Sequence, residues 1–289
     1  MSDFTHRQLR TSIPGALAKV EHVTEALKAH GVKLNPTSSV ALLFDKVREL
    51  NEPDVKDSDD YDDLFLECIE ALWIAEALGF AIGEPGSKEA VNRLVRKQID
   101  LSGHKPSQGK DALWELDLFR RLRLGGASAR LAEPDIVLPL GAGLGDYGVA
   151  CKKVYEESGV DRALEQGCRQ LRKHGLSGVV AFNLDDLIDK KGREPFPAQT
   201  KEELQAKVVQ RAKEFVTSHV DALRKWVQSG KCDGVLISVS VVTKIPNDTL
   251  PTNLARIPVL YPDPAVLDDP ARARLIAFRR CVDQATEVG

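Results

Sequence analysis

The sequence from Ala129 to Val154, ARLAEPDIVLPLGAGLGDYGVACKKV, decides the fold of the second half of the chain. The apolar run Ile136–Leu138 and the stretch Tyr147–Val154, with a glycine-rich turn between them, predict two or three short strands. Asp135 and Lys152 interrupt this pattern, and a charge inside a sheet is costly unless it has a partner, a metal or a function. These two charges are therefore the strongest functional signal in the sequence.

Two glycine-rich segments have the composition of nucleotide-binding loops but lack their context. Gly141–Gly145, GAGLG, leads into a strand, whereas a dinucleotide-binding fingerprint needs a following helix, so a hairpin loop is predicted. Gly103–Lys110 is too long for a phosphate-binding loop, and Asp111 stands where Ser or Thr should follow the lysine. Neither segment predicts nucleotide binding.

Composition and charge exclude several classes of protein. The chain has 289 residues, a formal net charge of -3 and five scattered cysteines. The net charge is not the positive one that is typical of nucleic-acid-binding proteins. The scattered cysteines predict reduced thiols in a cytoplasmic protein. The sequence shows no secretory signal and no apolar run approaching the roughly 18 residues of a membrane span, so we expect no membrane association.

The pattern of the chain predicts two modules. Residues 1–104 indicate an all-helical N-terminal module, and residues 105–289 alternate helices and strands as an α/β domain does. The Gly-, Pro- and Ser-rich segment 101–111 is the predicted link. The acidic run Asp57–Asp63 is typical of a helix start, with a metal cluster as the alternative.

The helix predicted over Asp111–Leu124 begins the α/β domain. Its apolar residues lie at helical spacing, and Glu115 shares their face. Three other charged residues are expected to point elsewhere: Asp117, Arg120 and Arg121.

The remaining elements follow from the same periodicity. Helices are predicted over 160–174, 201–229 and 270–286, and buried strands over 178–184 and 233–243. A Pro-rich loop is predicted before the last helix, with prolines at 246, 251, 258, 262 and 264.

Glu115, Asp135 and Lys152 form a chemically meaningful set, because a helix and two neighbouring strands can bring them to one edge of a sheet. Two carboxylates suit a hard divalent cation such as Mg²⁺ or Mn²⁺. Such a cation polarises a phosphodiester and lowers the pKa of an attacking water. A lysine beside it orients that water or stabilises the pentavalent phosphorus. The alternative is a structural ion pair at the sheet edge.

These residues resemble the PD-(D/E)xK nuclease superfamily over about residues 110–184. The matching parts are the helical Glu115, Pro134-Asp135, Cys151-Lys152 and the following helix with Gln170, in the order α-β-β-β-α-β. The resemblance implies a restriction-endonuclease-like mixed central sheet flanked by helices. It also implies Glu115 and Asp135 as metal ligands, Lys152 as the catalytic lysine and Gln170 as a supporting residue.

The sequence departs from this family at Ala150, where the family carries a carboxylate two residues before the lysine. Strand alternation puts Ala150 and Lys152 on the same face. Asp146 has the right parity but lies about 20 Å away along an extended strand. Glu165 and Glu115 are the other candidates for the missing charge. Lys153 should point to the other face and be solvated.

The resemblance predicts a Mg²⁺-dependent endonuclease that hydrolyses DNA, with the helical module assisting DNA binding or homodimer formation. Basic residues near the motif are expected to form a local positive surface for nucleic acid. The predicted contacts are Lys105, Lys110, Arg120 and Arg121, supported by His104, Arg123 and Arg130. Two alternatives are a catalytically impaired nuclease fold that binds nucleic acid or acts in assembly, and a helical interaction protein with an α/β scaffold.

Overall fold

The computed structural model describes residues 13–51, 61–101, 103–188, 196–245 and 252–288. The described chain divides into a helical unit, residues 13–120, and an α/β unit, residues 121–288. Most of the acidic run, residues 57–60, lies outside the described residues. Within the described ranges, no helix has both the length and the apolar character that a membrane span requires.

Among the residues that the structure describes, the helical unit contains five helices, the last of which continues into the α/β unit. Their bounds are α1 Ile13–Ala29, α2 Ser39–Leu50, α3 Tyr61–Ala81, α4 Lys88–Arg96 and α5 Gln108–Leu124. Helix α1 is followed by Gly31, whose positive φ of 71° suits glycine. Helix α2 begins where the Ser38 side chain accepts a hydrogen bond from the backbone N–H of Ala41.

The α/β unit is built on one mixed sheet of six strands in the order β1-β2-β3-β4-β5-β6. Their bounds are β1 Arg130–Ala132, β2 Asp135–Pro139, β3 Asp146–Lys153, β4 Ser177–Asn183, β5 Gly234–Lys244 and β6 Thr252–Tyr261. Strands β3, β4 and β5 are parallel, and the other neighbours are antiparallel. The prediction of an α/β fold with a mixed sheet flanked by helices is confirmed.

Five further helices belong to this unit: α6 Val160–Lys173, α7 Asp185–Ile188, α8 Lys201–Ser218, α9 Val220–Gln228 and α10 Asp269–Val288. Residues from α6, α8 and α9 share one buried apolar cluster with the sheet residues Ala150, Phe182 and Ile237. Because side chains alternate along a strand, this cluster defines one face of the sheet as its main apolar face.

The glycine-rich segment forms the predicted hairpin. Strands β2 and β3 are antiparallel, and Leu140 donates its backbone N–H to the carbonyl of Gly145 across the turn. Gly141, Gly143 and Gly145 all have positive φ, a backbone conformation that suits glycine, and Ala142 between the first two also has a positive φ of 48°.

Two predictions for the C-terminal part were wrong. The stretch taken for a Pro-rich loop contains β6, in which Pro258 lies opposite Ser238. Pro258 is tolerated because β6 is an edge strand. Proline has no N–H to donate, and on its outer side an edge strand has no neighbouring strand that needs this donor. The single helix predicted over 201–229 is two helices, α8 and α9, separated at His219, which has φ -114° and ψ 14°.

Helix α5 was predicted to have one apolar face and one polar face, and the structure differs from this prediction. Residues 112–122 are buried without interruption, and they include Asp117, Arg120 and Arg121. A helix buried on every side must pair its charges internally. Arg120 accordingly lies 3.0 Å from an Asp117 oxygen and 3.1 Å from an oxygen of Glu76.

Candidate functional site

Asp135 and Lys152 lie together at the start of β2 and the end of β3. Ile136 is opposite Val149 in this antiparallel pair, so the next position places Asp135 opposite Ala150, on the face that carries Lys152. The Lys152 Nζ atom is 3.8 Å from Asp135 Oδ2, and the two side chains are 18% and 17% exposed. The hairpin thus joins an acid and an ammonium group that solvent still reaches.

Backbone groups of Cys151 hold both side chains in place. The backbone N–H of Cys151 donates to Asp135 Oδ2 at 2.7 Å, and Lys152 Nζ donates to the Cys151 carbonyl at 2.9 Å. Each charge therefore has a fixed direction as well as a partner. A carboxylate held this way can bind a cation, and a lysine beside it can act as a point charge towards a phosphate.

Ala150 occupies the position at which the family named in the sequence resemblance carries an acid. Its side chain is on the Asp135 and Lys152 face, as alternation predicts, but it is 0% exposed and belongs to the apolar cluster. Asp146 does not replace the missing acid, because it pairs with Pro139 at the opposite end of the hairpin and forms an ion pair with Arg130.

Glu115 lies in the part of α5 that belongs to the helical unit. It is buried, and its Oε2 atom accepts a hydrogen bond from the Nη2 atom of Arg93. The guanidinium of Arg93 thereby neutralises the buried Glu115 carboxylate.

Gln170 lies on α6, which packs against β3 and β4. The next residue, Leu171, packs beside Gly148 and Gly178, about 13 Å along β3 from Lys152 at the usual strand rise. Within the described parts of the chain, Gln170 Oε1 is buried with no hydrogen-bond partner. An orphaned buried amide oxygen is uncommon and marks Gln170 as a residue of interest.

Three of the four residues expected at a positive surface are buried. Lys110 donates to the carbonyl of Gly103, Arg120 pairs with Asp117 and Glu76, and Arg121 Nη2 lies 3.4 Å from Ser238 Oγ. The expectation of an exposed surface is therefore wrong for these three, since their charges are used to neutralise or satisfy buried groups. Lys105 is exposed.

A polar network that was not predicted from the sequence lies at the carboxyl ends of β3 and β4, beside the middle of β5. Lys153, expected to be solvated, is only 5% exposed and lies 2.7 Å from Asp186, which is 4% exposed. Lys153 also donates to Asn183, which donates to Asp185, which in turn accepts from the backbone N–H of Ser240. Burial raises the pKa of the Asp185 carboxyl above its usual value.

A signal for this network was present in the sequence. The apolar strand GVVAF is followed directly by Asn183, Asp185 and Asp186, and the carboxyl ends of parallel strands meet at one edge of a sheet. Lys153 is the last residue of the neighbouring strand β3, so its charge meets these acids at the same edge.

The carboxylate of Asp135 could supply one ligand to a hard divalent cation. Across the described residues, no group of three or more His, Cys, Asp or Glu side chains is placed to hold a metal ion. Mg²⁺ is commonly bound through one or two carboxylates together with water and substrate phosphates. Asp135, solvent-reachable and beside Lys152, meets that minimal requirement.

Comparison with known proteins gave no relative: no protein-family model, no curated protein and no solved structure matches the chain.

Proposed function

We propose that this protein is a divalent-metal-dependent endonuclease of the PD-(D/E)xK type, with a restriction-endonuclease-like α/β unit that acts on DNA. The observation that carries the proposal is the Asp135–Lys152 pair, which unites the acid after Pro134 and the lysine of the next strand on one face. The order helix, three strands, helix, strand around this pair also agrees with the family.

In this proposal, Asp135 holds the cation and Lys152 faces the phosphodiester. The cation supplies charge neutralisation at the phosphate and a lowered pKa for the attacking water. Cys151 fixes Asp135 through its N–H and Lys152 through its carbonyl, so neither side chain has to be ordered when substrate binds. Glu115 as second ligand and Gln170 as supporting residue stay predictions.

The test is plasmid nicking in the presence of Mg²⁺ or Mn²⁺, with matched substitutions. Lys152→Met and Asp135→Asn should each lower the nicking rate by about 100-fold or more, as expected for loss of a group that stabilises developing charge. Lys173→Met on the exposed end of α6 and Asp146→Asn at the far end of the hairpin should keep the wild-type rate. Equal nicking by all four variants would contradict the assignment.

A direct measurement of metal binding separates the roles of the two residues. Titration with Mn²⁺ should show weaker binding to Asp135→Asn than to the wild type. Lys152→Met should bind Mn²⁺ at least as well as the wild type, because a neighbouring positive charge has been removed. Unchanged binding in Asp135→Asn would remove Asp135 from the ligand set.

A second function, nucleic-acid binding without cleavage, is favoured by the burial of Ala150. A carboxylate at that position would lie in the apolar cluster, so the α/β unit supplies one acid where the family supplies two. This alternative predicts salt-sensitive DNA binding with no metal-dependent nicking by the wild type.

A further inference from the structure

A second polar site lies at the amino ends of β4 and β5, away from the Asp135–Lys152 pair. It is a cavity of about 510 Å³ bordered by α6, by α9 and by the residues just before these strands. Ser177 at its edge pairs with Tyr147, whereas Lys152 pairs with Phe182 five positions along, about 16 Å at the usual strand rise. The two sites are therefore separate.

Two buried thiols line this cavity. Cys168 on α6 and Cys232 just before β5 are 64 positions apart in sequence, and both are almost fully buried free cysteines. The two residues are neighbours in this cavity, and the interaction between their thiols lowers the pKa of Cys168 and raises that of Cys232.

Basic residues outnumber acids around the thiol pair, although the exposed Glu165 also lines the cavity. Arg169, Arg172 and Lys231 line the cavity and are exposed, and the charges of Lys231 and Arg172 also lower the pKa of Cys168. Lys231 Nζ lies 4.3 Å from the centre of the Trp226 ring, which holds its charge at the rim. Arg274 and Asp233 also line the cavity, but they neutralise each other through two hydrogen bonds.

Two of the other cysteines, Cys68 and Cys281, have raised pKa values, in contrast to the lowered pKa of Cys168. Burial raises the pKa of Cys68 in the helical unit to about 12, and burial also raises the pKa of Cys281 on α10. Because the thiolate is the reactive form, neither should compete with Cys168 for an oxidant.

We infer that Cys168 and Cys232 form a modification site for small peroxides, in which Cys168 is the nucleophile and the two sulfurs end as a disulfide. The cavity admits a molecule the size of hydrogen peroxide. Cys168 has a lowered pKa and basic neighbours, and Cys232 beside it stays protonated. A redox-sensing cysteine and its resolving cysteine have this arrangement.

The chemistry balances with hydrogen peroxide as the oxidant. The Cys168 thiolate attacks one peroxide oxygen, the O–O bond breaks, and Cys168 becomes a sulfenic acid while hydroxide leaves and is protonated to water. Cys232 then loses its proton and attacks the Cys168 sulfur, and the S–O bond breaks to release a second water. Two thiols are oxidised by two electrons, and one peroxide is reduced to two waters.

The test is peptide mapping of the full chain by mass spectrometry after treatment with hydrogen peroxide and alkylation of the remaining thiols. The wild type should show a Cys168–Cys232 disulfide, with Cys68 and Cys281 alkylated. In Cys232→Ser, a 1,3-diketone probe should label Cys168 as sulfenic acid. Oxidation of Cys68 or Cys281 as fast as Cys168, or absence of the Cys168–Cys232 disulfide in the wild type, would overturn the inference.

A pair of lysine variants tests the role of the cavity charge. Lys231→Gln should slow the reaction of Cys168 with peroxide by about twofold to tenfold, since a tenfold change corresponds to one pKa unit. Lys225→Gln is the matched control, because Lys225 contacts the same Trp226 ring but does not line the cavity. Equal rates in the two variants would show that the rim charge does not activate Cys168.

Discussion

At the scale of single residues, the α/β unit contains a buried ion pair between Lys153 and Asp186. Both side chains are at most 5% exposed, and Asn183 satisfies a further hydrogen bond of the lysine. Removing one member leaves the other charge buried, whereas replacing both with apolar residues is often nearly neutral.

We therefore predict that Asp186→Asn lowers the free energy of unfolding by about 3–5 kcal/mol and that Lys153→Met with Asp186→Leu recovers most of this loss. Urea denaturation followed by circular dichroism measures both. Glu214→Gln is the control, because the Arg211–Glu214 pair is largely exposed and its loss should change stability by less than about 0.5 kcal/mol. A loss in the double variant as large as in Asp186→Asn would contradict this prediction.

The carboxyl of Asp185 gives the α/β unit a specific pH dependence. Burial raises its pKa above the usual 3.8, so between 3.8 and the raised pKa the folded chain holds a proton that the unfolded chain has lost. The contribution of Asp185 to stability therefore falls as pH rises through this window.

We expect the stability of the wild type, relative to Asp185→Asn, to be greater at pH 4 than at pH 7. Urea denaturation of both proteins at the two pH values measures this difference. The contributions of the other titratable groups are the same in both proteins and therefore cancel. A difference that grows with pH would mean that hydrogen bonds from Ser240 and Asn183 outweigh the cost of burial.

At the scale of elements, α6 packs against the parallel pair β3–β4 through two glycines. A Cβ atom on Gly178 would overlap the carbonyl oxygen of Gly148 and contact Leu171, so the close approach of helix and strands depends on glycine here. Gly159, just before α6, has open space around its Cα and an ordinary negative φ of -85°.

Gly178→Ala should therefore lower the free energy of unfolding by about 2–4 kcal/mol, because the overlap involves backbone that cannot move without breaking the strand pair. Gly159→Ala should leave stability within about 1 kcal/mol of the wild type. The same urea titration measures both variants. Equal effects would show that α6 can shift away from the sheet at little cost.

At the scale of the whole molecule, the proposed DNA binding would have to arise from local charge, because the formal net charge is -3. Several cations near the motif are committed to buried ion pairs or hydrogen bonds, which leaves Lys105 as the exposed member of the predicted contact set. Few phosphate contacts imply a shallow dependence of affinity on salt.

We predict that the affinity for duplex DNA falls about tenfold between about 50 and 200 mM salt, as expected for two phosphate contacts. Lys105→Gln should reduce the slope of log affinity against log salt by about 0.9, and Lys213→Gln on α8 should not change it. Fluorescence anisotropy at several salt concentrations measures these slopes. An affinity independent of salt would argue against a nucleic-acid ligand.

The sequence alone determined the parts of this protein that depend on neighbours along the chain. Periods of two and 3.6 residues indicated most helices and strands, and the glycine turn set the hairpin. The predicted hairpin also led to the expectation that Asp135 and Lys152 lie at one edge of a sheet.

Tertiary structure decided what depends on residues far apart in sequence. It buried Lys153 and Arg120 by supplying Asp186 and Glu76 as partners, and it added β6 as an edge strand despite Pro258. It also brought Cys168 and Cys232 to the same cavity. The sequence does not indicate whether a charged group or a thiol will be solvated or paired. The free energy of burying such a group depends on the distant elements that pack around it.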